Sequence, residues 1–296
     1  MEKQAIFTEQ LTKYYGKARG IKNLDLAVAP GEFFGFIGPN GAGKSTTIRT
    51  LLGLITANAG KARVLGLDSA VRERKEILRR VGYLPSDTAL YAGLTVKDML
   101  KLSAGLRGRD CAKQAAELCE RLQLEPGKKV EDLSFGNRKK VGIVCALQHD
   151  PELLILDEPT GGLDPLMQHE FFDILQERNR QGATVFLSSH VLSEIQRHCS
   201  RAAIIREGQV IACDSVEKLA RSNARRVTLQ GTVRREDLPG AKDWTEIGGT
   251  TSFLYSGDIN ELVRILSGTE IRDLTIAEPD LEEIILHYYG KDGERA

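Results

Sequence analysis

The run Gly38-Pro39-Asn40-Gly41-Ala42-Gly43-Lys44-Ser45 fits the spacing GxxxxGK[ST] in full. Glycines at these positions let the backbone curl so that successive N–H groups converge on phosphate oxygens. A helix opening after the loop adds its own free amides and positive dipole end. Lys44 supplies a cation for terminal phosphates, and Ser45 a hydroxyl for Mg²⁺. The motif predicts nucleoside triphosphate binding. A second chemical feature is the apolar run Leu153–Leu156, which ends in Asp157-Glu158. A strand buried on both faces reads as such a run, and its carboxyl end is where α/β sheets receive ligands. Asp157 is expected to hold Mg²⁺ through water, and Glu158 to polarise an attacking water. Ser188-Ser189-His190 closes the next buried run, which puts His190 at the same sheet edge.

The elements that must carry these groups are legible in outline. Glu32–Ile37 reads as a strand and Lys44–Leu54 as a helix; Val81–Leu84 is strand-like, and Val96–Leu106 and Cys111–Leu122 have helical spacing. Leu153–Leu156 and Thr184–Ser188 are buried strands, separated by a helix over Met167–Gln181. This alternation predicts a mainly parallel sheet covered on both faces. Ala5–Tyr14 and Ile21–Val28 predict a small antiparallel layer. After a polar segment near Arg221–Arg225 come strands at Arg226–Leu229, Thr251–Tyr255 and Ile271–Ile276 and a Gly248-Gly249 turn. Helices are expected at Ile259–Leu266 and Pro279–Tyr289. The domain reading is therefore 1–221 followed by a small α+β appendage over 222–296.

The 296 residues are 41% hydrophobic and 28% charged, which excludes wholesale disorder. Forty-one basic and 41 acidic side chains balance, leaving no global field for nucleic acid or an anionic membrane. Local basic clusters such as Arg79-Arg80, Arg138-Lys139-Lys140 and Arg225-Arg226 read as solvated faces. No apolar stretch approaches the ~18–20 residues that span a bilayer, and Met1-Glu2-Lys3-Gln4 does not open a secretory signal. The five cysteines are scattered with no CxxC pair, which argues against a disulfide framework or zinc site and for a reducing cytoplasm.

The order of these segments resembles the ATP-binding subunits of ABC transporters from about Ile6 to Ala220. The discriminating element is Leu133-Ser134-Phe135-Gly136-Asn137, similar to that family's LSGGQ signature and followed by the basic-then-apolar Arg138–Leu147. The resemblance implies a P-loop NTPase core with a mainly parallel sheet and an antiparallel β layer. It also implies a helical, membrane-facing subdomain around residues 90–150. ATP would be contacted by Tyr15, Gly38, Asn40, Gly41, Gly43, Lys44, Ser45 and Thr46, with Mg²⁺ at Ser45 and Asp157. Tyr15 matches the adenine-stacking aromatic, with Tyr14 read as core or as the alternative aromatic. Glu158 becomes the catalytic carboxylate, His190 the switch histidine and Asp164, in Gly162-Leu163-Asp164-Pro165, the D-loop aspartate. Ser134, Gly136 and Asn137 form a second anion site, helped by Ser134 as a helix cap. In the family this site meets the nucleotide held by the opposite subunit. A head-to-tail pair, a homodimer here, is implied.

Two departures from the family pattern stand out. The Q-loop, Gly82-Tyr83-Leu84-Pro85, is followed by Ser86 in place of glutamine, with Asp87 as a candidate substitute. The signature carries Phe135 for glycine and Asn137 for glutamine. The tail segment Glu278–Leu286 is similar to an element of drug- and antibiotic-exporter ATPases; a terminal helix packed on its own domain is the equal alternative. The resulting expectation is an ATPase at the cytoplasmic face of the cell membrane that powers a separately encoded permease, an exporter, with no nucleic-acid partner. Its alternatives are a weakly or non-hydrolysing partner in a heterodimer and a soluble ABC ATPase. A GTPase is excluded, because no NKxD-like element is present.

Overall fold

The computed structural model describes residues 4–16, 18–69, 72–220, 225–231 and 233–277. The chain divides into two compact units, one ending at Cys213 and one beginning at Asp214. In the first unit the elements run β1 (Ile6–Tyr15), β2 (Ala18–Val28), β3 (Phe33–Ile37), α1 (Lys44–Leu51), β4 (Ala59–Val64) and β5 (Leu67–Asp68). Then come α2 (Arg74–Arg80), β6 (Val81–Leu84), α3 (Val96–Arg107), α4 (Ala112–Arg121) and α5 (Phe135–Leu147). The series closes with β7 (Leu153–Asp157), α6 (Pro165–Arg180), β8 (Thr184–Ser189), α7 (Leu192–His198), β9 (Arg201–Arg206) and β10 (Gln209–Ser215).

Among the described residues the central sheet has the order β10-β9-β3-β8-β7-β6. β3 is parallel to both β8 and β9, and β7 to both β6 and β8. Every residue of β3, β7 and β8 is buried; the apolar runs of β3 and β7 are those of strands covered on both faces. A second, antiparallel sheet has the order β2-β1-β4-β5. Its Ile6, Leu24, Leu26, Val28 and Val64 share one core with Phe34 and Phe36 of β3 and Ile48 and Leu51 of α1.

Helix α1 is shorter than its sequence pattern predicts. Gly53 turns left-handed, its N–H bonds to Thr50 O and that of Leu54 to Arg49 O, a closed Schellman ending. The basic clusters need correction as well. Lys139 and Lys140 are 2% and 8% exposed, so Arg138-Lys139-Lys140 is no solvated face, and Arg80 forms a two-bond ion pair with Glu152. None of the five cysteines, all of them described, is in a disulfide, and no described helix is long and apolar enough to cross a membrane.

The second unit contains α8 (Val216–Ala220), β11 (Arg225–Gly231), β12 (Ala241–Ile247), β13 (Thr250–Tyr255), α9 (Ile259–Leu266) and β14 (Ile271–Ala277). Its antiparallel sheet has the order β12-β13-β11-β14. Leu262 and Leu266 of α9 pack with Val227, Leu229, Phe253 and Tyr255 in a separate core. The helix expected at Pro279–Tyr289 and the exporter-like element at Glu278–Leu286 lie outside the described residues.

Candidate active site

The register of the parallel sheet decides what meets at its carboxyl edge. Ile37 pairs with Ser189 and Asp157 with Ser188. The loop after β3, the carboxylates after β7 and His190 after β8 therefore emerge side by side.

The loop from Gly38 to Gly43 curls through left-handed backbone at Gly41 and Gly43. A Cβ on Gly43 would lie 3.0 Å from Gly20 O, 3.1 Å from Ile21 Cγ2 and 3.4 Å from Gly208 Cα, so the loop needs glycine there for space as well as for φ. Gly208, in the turn between β9 and β10, ties the loop down. Its N–H donates to Ala42 O, and its carbonyl accepts from Lys22 N, both at 2.8 Å. Gly43 caps α1, whose first turn carries no acidic residue, so the amide dipoles face the loop unopposed. A cavity of about 250 Å³ lies above, walled by Gly20, Asn40, Gly41, Gly43, Lys44, Ser45, Thr46, Ser86 and Glu158 among others. Gly38 is buried beneath it against the Ile205 backbone. Tyr15 lies outside the wall, its ring edge 3.3 Å from the Cβ position of Gly20, with Lys13 Nζ 5.5 Å above the ring. Tyr14 is exposed, which removes the core reading for it.

Lys44 is buried and reaches three oxygens: Gly38 O at 2.5 Å, Pro39 O at 3.2 Å and Glu158 Oε1 at 3.1 Å. Glu158 has φ 49°, a left-handed conformation uncommon for a non-glycine residue. Its N–H donates to Ser188 O at 3.0 Å, turning the carboxylate off the strand and over the loop. Its Oε2 accepts from His190 Nδ1 at 2.5 Å. His190 is half-exposed, and its neighbour Ser189 fixes the turn on either side of it: Ser189 Oγ accepts from Val191 N at 2.9 Å and donates to Glu194 Oε2 at 2.7 Å.

Asp157 is fully buried. Ser188 Oγ donates to its Oδ1 at 2.9 Å, whereas Oδ2 has no hydrogen-bond partner among the described residues. A buried carboxylate oxygen of this kind suits a hard divalent cation; Ser45 lines the phosphate cavity, whereas Asp157 lies beneath its wall. Ser86 lines the cavity, while Asp87 is exposed; the wall is formed by the residue that stands where glutamine was expected.

The signature residues are placed elsewhere. Ser134 caps α5 by accepting from Asn137 N at 3.3 Å. A Cβ on Gly136 would lie 2.5 Å from Gly162 O, and the Phe135 ring occupies the space a Cβ on Gly162 would need. Asp164 caps α6 by accepting from Met167 N at 3.0 Å, with Pro165 in the first turn. Ser134, Gly136 and Asn137 do not line the cavity of their own chain. Sequence reasoning missed Ser188 and Lys139. The first could be suspected as a buried hydroxyl directly after the apolar run 185–187. The second could not, because a lysine in a basic cluster ordinarily faces water.

A family profile described as "ABC transporter" matches residues 21–161, and one described as "AAA domain, putative AbiEii toxin, Type IV TA system" matches residues 129–195. The bacitracin transport ATP-binding protein of Bacillus licheniformis is 34% identical, over 96% of this chain and 97% of its own. The Nod factor export ATP-binding protein I of Paraburkholderia xenovorans is 33% identical, over 99% of both. The solved ATP-binding subunit of an ABC transporter superposes with a TM-score of 0.70 at 30% identity, covering 73% of this chain and 92% of that one. A bacterial ABC transporter cassette solved as a dimer gives 0.66 at 25% identity, covering 71% and 98%.

Proposed function

This chain belongs to the ATP-binding proteins of ABC transporters, and from that premise we propose that two copies close head to tail on two ATP molecules to drive an exporter. It is the ATPase subunit of a transporter. The permease would be a separate chain, and this subunit would work at the cytoplasmic face of the membrane beside it. The domain reading of 1–221 and 222–296 and the homodimer belong to the same proposal.

In this reading the glycine loop and the first amides of α1 bind the phosphates, and Tyr15 stacks on the adenine. Ser134, Gly136 and Asn137 of the second copy contact the same ATP from the other side, with Asp164 at the seam. Ser45 and Asp157 would hold Mg²⁺, which when bound neutralises charge on the phosphates. Terminal phosphates compete with Glu158 for the Lys44 ammonium. That competition leaves Glu158 Oε1 to accept a proton from water, while His190 keeps the carboxylate aimed.

The observation that carries this reading is the single carboxylate of Glu158, bridging Lys44 and His190 at the mouth of the phosphate cavity. Glu158→Gln keeps the shape and removes the base. It should bind ATP with wild-type affinity and release phosphate at least ~10²-fold more slowly. A Gln variant with full phosphate release would remove Glu158 from the chemistry.

A further inference from the structure

We propose that Lys139, on the signature helix, is a positioning residue for ATP hydrolysis: its ammonium holds the backbone of Pro85 and Ser86 and so sets the Q-loop wall of the phosphate cavity. Lys139 Nζ donates to Pro85 O at 3.1 Å and to Ser86 O at 3.0 Å. Both acceptors are main-chain carbonyls at the end of β6, and Ser86 is the last of them before the chain turns outward to the exposed Asp87. Ser86 also lines the cavity beside Glu158 and Ser45. The lysine therefore bonds to the residue that faces the phosphates, without touching them itself.

An ammonium buried to 2% exposure loses most of its hydration, a cost that is tolerated only where charge-assisted bonds replace it. The two carbonyls supply those bonds. Burial pulls Lys139 below the ordinary lysine range, while the negative charges of Asp157, Asp87 and Glu158 oppose that pull and favour the cation. The charge thus sits behind the acidic edge where Mg²⁺ and the attacking water are expected. Serine cannot span the distance a glutamine would, so the wall here depends on where its backbone is held. Lys139 is on α5, whose first residues are Phe135, Gly136 and Asn137. Lys139 thereby ties the signature helix to the Q-loop wall of the same protomer, beside the close packing of Gly142 on Leu84 and Thr88.

This inference rests on the hydrolytic reading of the cavity, and the experiment separates the two. Purified full-length protein is compared with Lys139→Met, which removes the donors, Lys139→Gln, which keeps two N–H groups on a shorter stem, and Glu158→Gln. Phosphate release gives kcat, a fluorescent ATP analogue gives Kd, and thermal melting reports folding. The expected result is a kcat lowered about 10-fold or more in Lys139→Met and about 3-fold in Lys139→Gln, with Kd unchanged within about 3-fold in both. A wild-type kcat in Lys139→Met, or equal losses of kcat, ATP affinity and melting temperature, would overturn the proposal while Glu158→Gln remains inactive. Should Lys139→Met not fold, Lys139→Gln decides alone: kcat reduced at unchanged Kd supports the role, and kcat equal to wild type overturns it. A wild-type chain that releases no phosphate would defeat the hydrolytic reading, and this inference with it.

Discussion

Lys44 Nζ and Glu158 Oε1 stand 3.1 Å apart, joining the phosphate loop after β3 to the carboxylate after β7. Glu158 is shared with His190 on its other oxygen, so any group that claims Lys44 alters the load on both. The two sides of this arrangement can be separated by substitution.

Removing the histidine side tests aim rather than binding. His190→Ala leaves Lys44 and the glycine loop untouched, so ATP affinity should change by less than about 3-fold while turnover falls about 10²-fold. Stopped-flow phosphate release and nucleotide titration read the two quantities apart. Equal losses in both would show that His190 serves binding.

Ser188→Ala removes the one hydrogen bond that the described residues make to the buried Asp157 carboxylate. With Oδ2 already without a partner, the substitution leaves a second buried oxygen unpaired, a cost of about 1–3 kcal/mol. Denaturant unfolding should register that loss. Added Mg²⁺ with ATP should recover part of it, because a bound cation satisfies the same carboxylate. Unchanged stability would indicate that water replaces the serine hydroxyl.

The signature and the D-loop are packed together within one protomer, with the Phe135 ring against Gly162. Gly162 also has φ +82°. Gly162→Ala should therefore destabilise by at least about 1 kcal/mol through backbone strain alone. In a Phe135→Gly background the steric part disappears and the strain remains. A double-mutant cycle should give a coupling of about 0.5 kcal/mol or more between the two sites; strict additivity would refute the contact.

Acid should weaken the first unit through His149. Burial, reinforced by the Arg107 guanidinium, pushes this ring down to about 4, and its Nε2 lies 3.3 Å from Val81 O. The unfolded chain protonates the same ring near 6.5. Between those values the unfolded state binds more protons, so stability is present above the window and falls as pH is lowered through it. The full loss is about 3 kcal/mol. Urea midpoints measured across this range should drop with pH, and His149→Gln should flatten the curve. His198, stacked 3.8 Å from Phe172 and also held near 4, leaves a residual slope in that variant.

The parts of the fold visible beforehand were those with a strong one-dimensional pattern. β3 and β7 are apolar at nearly every position because both faces are covered, β8 is apolar over residues 185–187, and the glycine loop follows β3 directly. Edge elements left no such trace. β12 reads Ala-Lys-Asp-Trp-Thr-Glu-Ile and is mostly exposed; its place depends on pairing with β13 and on Trp244 stacking on Phe253 at 4.9 Å. Within the site, Lys44, Asp157, Glu158 and His190 were legible because motif and strand end coincide. Lys139 was not, since only the three-dimensional return of β6 to α5 turns a surface-type residue inward.

The seating of β3 between β8 and β9, with Gly208 clasping Ala42, bears on how the protein is made. On a ribosome, residues 38–45 emerge long before the strands and the turn that hold them. A nascent chain ending ahead of residue 208 carries the whole glycine motif without its restraining contacts, and contacts so distant in sequence form late. Competence to hold a triphosphate would thus be acquired only near the close of synthesis of this unit.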